Sequence, residues 1–592
     1  MNRRPALVVA GLLLISMAGC GGKPPPVVAQ DPWPQLVDQW IESDMKANPS
    51  TAAYQGRHEY DGLLPDWSAA GLQAETRRLK EWRGRAAAVD GGKLAEAEQF
   101  ERDYLLAVID ERLFWLEAAD WPHRNPEWYY LDPSFYLDRP YADIETRMKA
   151  YTRWASNVPA AAAQIQANLQ GPLPKTFIDI GAYTFGPLGK FLQEDVVKVF
   201  KDVGDAQAQA EFQKQNAAAA AALAALDRHL ASLRATQTDQ FAIGPELFAR
   251  MLHDTERVDT PLVELERMGR EDLERNLKSL ADACKAFAAG KSVRQCVQKA
   301  NASKVTGGDA VGYAGKLLAE LKRFVQEKQI VTIPGTEEAK VKQSPPYNSQ
   351  NSAYIDIPGP YEKDMPSYFN VAAPDPSWSK AKQQDYIPGK ADMEFTAVHE
   401  VWPGHFLQYL HSNRSKSMIG RLYVGYAFGE GWAHYAEEMM WEEGLGNGDP
   451  EVHIGQLTNA LLRNVRLLSA IGLHAGGMTL EQSRRMFLDA AFQDEGNAEQ
   501  QAARGAYDPA YLNYTMGKLM IRRLRADWCA TRGGADSKSC WHQFHDAFVS
   551  YGGPPYARKA SWNRCQHSVL SAPPRVAHQS ARSLRIISLP MV

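Results

Sequence analysis

Between His399 and His405 the chain reads Glu-Val-Trp-Pro-Gly, and this segment forbids a continuous helix through both histidines. On an unbroken α-helix, positions i and i+4 lie about 40° apart around the axis, whereas i and i+6 lie about 120° apart. Two rings so placed would not share an ion. Pro403 lacks an N–H, its ring clashes with the carbonyl of His399, and it disfavours helix at Trp402. Gly404 accepts whatever dihedrals the break needs. One helix must therefore stop near His399 and another start near His405, and a two-residue bulge between them returns His405 to the face of His399.

That geometry suits a metal. Glu400 follows the first histidine directly, so it points off the ligand face, within reach of a water activated by the metal. Catalytic zinc usually takes three protein ligands and keeps one position open. The third is expected from Gly429-Glu430-Gly431-Trp432-Ala433-His434-Tyr435-Ala436-Glu437-Glu438. Glu430 lies 25 residues past His405, enough for a loop and a second helix packed on the first. The expected zinc ligands are His399, His405 and Glu430. Glu437 stands behind them, and His434, on roughly the same face, is the rival ligand.

Around this motif the pattern is mainly α. From Trp33 to about Lys342 apolar residues recur at three- and four-residue spacing, with Ala217–Leu226 a run of strong helix formers. Composition shifts near Ser344-Pro345-Pro346, and Ala353–Ile357 and Tyr368–Ala372 read as β-runs of a small hairpin or sheet beside the active-site helix. Helical segments resume from Asp392 to about Phe548. The expected organisation is a signal peptide (1–19), a lipidated linker (20–32), a helical scaffold and cleft wall (33–343), a zinc-binding catalytic region (344–556) and a basic tail (557–592). That tail has no acidic residue and reads as disordered or non-native.

Charge and hydropathy exclude other classes. Sixty-six Lys and Arg against 70 Asp and Glu give a formal net charge of −4, which offers no footprint for nucleic acid. Mean hydropathy is −0.41 and the one long apolar run is N-terminal, which argues against a polytopic membrane protein. That run, Met1–Cys20, has Arg3 and Arg4 ahead of a short apolar stretch and ends Met17-Ala18-Gly19-Cys20, a lipobox-like site. Cleavage before Cys20 and its lipidation would tether an exported body to a membrane, expected to be the outer membrane facing the periplasm. In an oxidising compartment Cys284/Cys296 and Cys529/Cys540 read as local disulfides, with Cys565 left over. Nothing in the sequence sets an oligomeric state.

HEVWPGHFLQ and GEGWAHYAEE resemble the family known as domain of unknown function 885, whose members are often exported bacterial proteins. Tyr54–Ser68, Met365–Val371, Arg466–Gly477 and Tyr507–Arg522 also look like family segments in family order, so the match covers most of the chain. The family is generally grouped with gluzincin-like metallopeptidases. The resemblance therefore implies a large helical metallopeptidase-like body with two His and a Glu from a second helix on zinc. Phe406 stands where the family often has a second histidine, and Ala470 where an Asp is common.

A zinc peptidase also needs a donor for the developing oxyanion, worth roughly 3 kcal/mol in comparable sites. Tyr514 is the first candidate and His474 the second. Arg466 and Lys518 are candidates for holding a peptide's terminal carboxylate. Tyr368 and Asn370, two apart on one strand, are placed on the cleft face of a strand that pairs with extended peptide. The function expected is that of an exported, lipid-anchored zinc metallopeptidase hydrolysing oligopeptides with Glu400 as base. The rivals are a zinc-dependent cell-wall amidase and a non-catalytic binding lipoprotein.

Overall fold

Helices start where the sequence supplies acceptors for their first N–H groups: Asp143 caps Ile144–Asn168, Asp205 caps Ala206–Leu233 and Asp309 caps Ala310–Glu327. The computed structural model describes residues 32–555 except 306–308, 345–352, 373, 375–378, 381–382 and 384–385. Cys20, the signal peptide, the rest of the linker up to residue 31 and the 557–592 tail lie outside the described residues. The fold is mainly α with one small sheet. No described helix is long and apolar enough to cross a membrane.

The helices between Trp33 and Leu233 pack on one another through Trp40, Trp82, Tyr151, Trp154 and Phe212, and Ile419 and Leu422 enter that same core. A second core joins Pro245–Glu256 and Leu262–Phe287 to Pro450–Ala475, Glu495–Tyr507 and the start of Asn513–Ala530. A third gathers Ala310–Glu327, the sheet, Lys390–Glu400, His405–Ser412 and Lys538–Ser550. The helix Tyr426–Glu442 lies between the last two: Ala427 packs into the second core, Phe428 and Trp432 into the third. It is held tightly. A Cβ on Gly431 would meet Gly517 Cα at 2.6 Å, so the Glu430 helix and the Tyr514 helix touch backbone to backbone.

The sheet has the order β1-β3-β2, with β1 Ala339–Gln343, β2 Ala353–Asp356 and β3 Ser367–Val371. β1 runs parallel to β3 (Val341 opposite Phe369) and β2 antiparallel to it (Tyr354 opposite Asn370). β2 and β3 match the expected runs. β1 does not: it falls where helix was expected to continue, and it lies on the scaffold side of the division expected at 343/344 while pairing across it. Disulfides join Cys284 to Cys296 and Cys529 to Cys540, as expected.

Candidate metal centre

The helix Lys390–Glu400 ends immediately after its histidine, and His405 opens the next helix. Between them the Trp402–Pro403 peptide is cis, and Gly404 N donates back to Val398 O at 3.0 Å. Gly404 is required by packing: a Cβ there would lie 1.8 Å from the carbonyl oxygen of His399. The bulge is pinned from the Glu430 helix, where the Trp432 indole donates to Pro403 O at 2.8 Å. The two imidazoles end 4.8 Å apart, centroid to centroid, and at right angles.

Glu430 completes the cluster. Its Oε2 lies 3.2 Å from His399 Nε2 and 3.5 Å from His405 Nε2. One donor atom from each of the three residues falls within 4.8 Å of the others. That carboxylate oxygen is buried and no hydrogen bond of ordinary geometry satisfies it among the described residues. Two imidazole nitrogens and a carboxylate oxygen are donors that suit zinc, and the orphaned oxygen is what a cation would satisfy. Burial pushes the Glu430 carboxyl up, yet the His405 and His399 rings outweigh it and hold the group well below the usual carboxylate range.

Behind the triad, His399 Nδ1 meets Glu437 Oε1 at 2.7 Å, and Glu437 is wholly buried. Arg463 reaches the same carboxylate oxygen at 3.2 Å. Burial and the Arg463 charge pull the His399 ring down, but its contacts with Glu430 and Glu437 prevail and raise it to about 9. His434 is not brought to the triad. It is fully buried with Nδ1 3.6 Å from Glu437 Oε2, burial lowers it to about 4, and of the two it is Glu430 that stands with His399 and His405.

His399 and Glu400 open on a polar cavity of about 680 Å³. Glu400 is half-buried on its wall, and its Oε2 accepts the Ile355 N–H of β2 at 3.2 Å. Tyr514, 8% exposed, also lines the cavity. Its ring stacks 6.4 Å from that of His399 and packs edge-on against Tyr426. Burial, and then the Glu430 charge, raise the Tyr514 hydroxyl, which therefore stays protonated as a donor. Arg466 lines the cavity too, with its guanidinium carbon 4.9 Å from the Tyr514 ring.

Four expectations need correction. His474 is not in the cavity wall: its ring packs between Phe241 and Phe248, Nε2 contacts Gly505 O at 2.7 Å, and burial lowers it to about 4, so it fills a core. Lys518 is fully buried but already paired, 2.6 Å from Asp272 and 3.1 Å from Glu438, which leaves nothing for a substrate carboxylate. Tyr368 and Asn370 lie on the central strand, whose backbone is bonded on both edges, and neither lines the cavity. Asn370 instead donates to Tyr368 O, and Tyr368 lies under the Lys342 ammonium. The outer edge beside Glu400 is that of β2. Arg463 and Asp392 also line the cavity, and neither was expected there. Arg463 precedes Arg466 by three on one helix and so shares its face, a signal that was there to use.

The model of the family described as bacterial protein of unknown function (DUF885) matches residues 49–558. The chain belongs to that family. Two solved structures resemble this DUF885 chain, and at these identities the likeness is one of fold. A candidate lipoprotein of unknown function from Shewanella oneidensis is 23% identical with a TM-score of 0.74, covering 91% of this chain and 100% of its own. A candidate lipoprotein from Colwellia psychrerythraea is 16% identical with a TM-score of 0.76, covering 91% of this chain and 99% of its own. No curated protein matches the chain.

Proposed function

We propose that this DUF885 protein is a zinc-dependent peptidase of the gluzincin-like kind, acting on oligopeptides. The observation that carries the reading is the convergence of His399, His405 and Glu430 donor atoms, with Glu400 beside them on the wall of a polar cavity. Zinc held by those three residues would supply Lewis-acid chemistry, acidifying a water and polarising a carbonyl. A metal kept for structure alone has no use for a carboxylate placed next to its ligand and outside their cluster.

The chain's own residues do the rest. Glu400 takes a proton from the attacking water and delivers it to the leaving amine. The Tyr514 hydroxyl donates to the carbonyl oxygen as that atom gains charge. Glu437 fixes the His399 ring so that Nε2 faces the cluster. β2 offers its outer edge to an extended backbone. Ile355 N points away from β3, and by the alternation of an antiparallel pair Ala353, on the cavity wall, points its backbone groups the same way.

Export and lipid attachment belong to the same proposal. Arg3, Arg4 and the Met17–Cys20 lipobox support processing at Cys20, the two solved neighbours are described as candidate lipoproteins, and outer-membrane placement is proposed with them. The test of the chemistry is Glu400→Gln assayed with a peptide library in the zinc-loaded protein. Retained zinc with hydrolysis reduced at least about 1,000-fold is expected. Full activity in the variant would remove Glu400 as the base.

A further inference from the structure

Arg466 is a buried cation that meets no anion among the described residues. It is 8% exposed, lies on the cavity wall, and forms no ion pair with any carboxylate among the described residues. Its Nε donates to Gln501 Oε1 at 2.8 Å, a neutral acceptor that fixes the plane of the guanidinium. The Arg504 and Arg463 guanidiniums beside it act as like charges on it. Each of those has its own carboxylate, Asp508 at 3.0 Å and Glu437 at 3.2 Å. A guanidinium buried against like charge, with the paired Nη edge uncommitted among the described residues, is a site built for a carboxylate that arrives from outside.

Its place sets which carboxylate. The Tyr514 ring is close to both groups, 6.4 Å from the His399 ring and 4.9 Å from the Arg466 guanidinium carbon. The span from metal ligand to guanidinium thus cannot exceed the two lengths laid end to end, about three residues of extended chain. A bidentate Arg–carboxylate contact takes up roughly one residue's length of that span. We infer that Arg466 receives the free C-terminal carboxylate of a peptide, so that the bond presented to Glu400 lies one or two residues from the C-terminus. This rests on the peptidase reading for its chemistry: water adds to the carbonyl carbon, the C–N bond breaks, the amine of the released residue or dipeptide takes the proton, and the shortened chain keeps the new carboxylate.

The test uses one N-terminally labelled hexapeptide in two forms, free acid and C-terminal amide. Binding is read by fluorescence anisotropy on zinc-loaded Glu400→Gln, and cleavage by mass spectrometry on the wild type. The expected result is that the acid binds roughly 30-fold more tightly than the amide, that Glu400→Gln/Arg466→Gln binds the two alike, and that the wild type shortens the acid by one or two residues from its C-terminus. The acid–amide comparison within the wild type and Glu400→Gln needs no substitution at Arg466, so a misfolded Arg466 variant does not spoil it. Equal binding of acid and amide, or release of residues from the N-terminus, would overturn the inference and leave the peptidase reading standing. Preference for the acid with no cleavage of either form would support the Arg466 subsite and overturn the peptidase reading.

Discussion

Glu437 grips His399 from behind: a wholly buried carboxylate oxygen sits 2.7 Å from Nδ1, which turns Nε2 towards Glu430. The ring is thereby held in orientation before any metal arrives. Replacing the carboxylate by an amide keeps an acceptor but removes the negative charge that makes the imidazole a better ligand. Glu437→Gln should weaken zinc binding about 10- to 100-fold with the fold retained. Competition against a zinc-sensitive dye reads this directly, and unchanged affinity would show that Glu437 only packs.

The bulge makes its own prediction. Gly404→Ala places a methyl 1.8 Å from the His399 carbonyl oxygen, an atom of the backbone that cannot step aside. The segment must reopen, carrying His405 away from His399. Loss of roughly 3 kcal/mol or more is expected in urea unfolding, together with loss of zinc from whatever fraction folds. A variant that binds zinc as the wild type does would show that the bulge tolerates another path.

Lys518 separates structure from recognition. Two buried carboxylates, Asp272 and Glu438, close on its ammonium, with Arg275 and Arg522 completing the cluster. Lys518→Met leaves two buried acids short of one cation, and a loss of about 3–5 kcal/mol is expected. Because Lys518 does not reach the cavity, the folded fraction should keep the wild-type KM for peptides. A raised KM with normal stability would return Lys518 to the binding site.

Glu256 gives a pH dependence. It is buried, its Oε1 accepts from Ala427 N at the start of the Glu430 helix and from Asn513, and burial together with the charge of Glu111 raises it from 4.5 to about 8. A carboxyl with a raised folded pKa holds its proton more tightly when folded. The stability it contributes is complete below the unfolded value of about 4.5 and is lost as pH climbs through about 8. Glu256→Gln keeps the acceptor and cannot ionise. Its thermal midpoint should match the wild type near about pH 5 and exceed it near about pH 8.5. Parallel midpoints at both would show that Glu256 does not titrate differently on folding.

The parts legible in the sequence are those set by local chemistry. Pro403 and Gly404 announce a broken helix wherever they fall, the alanine run announces a helix, and close cysteine pairs need no distant partner. Glu430 follows because helix periodicity narrows the third ligand to a few positions on one face. What escaped was decided by partners far along the chain. Lys518 reads as a free cation until Asp272, 246 residues away, packs on it. Tyr368 and Asn370 read as an edge until β1 pairs in parallel and makes their strand the central one. His474 looks like any catalytic histidine until Phe241 and Phe248 enclose it. Arg466 was read for its chemistry, but that no described carboxylate pairs with it is visible only when its neighbours are in place.

The central claim is that His399, His405 and Glu430 hold one zinc ion, and the most direct measurement is metal stoichiometry by elemental analysis after dialysis. It compares the wild type with His405→Ala and Glu400→Gln. The account predicts about one zinc per chain in the wild type and in Glu400→Gln, and none in His405→Ala. A wild type that emerges without zinc, or a His405→Ala protein that keeps it, would contradict the site.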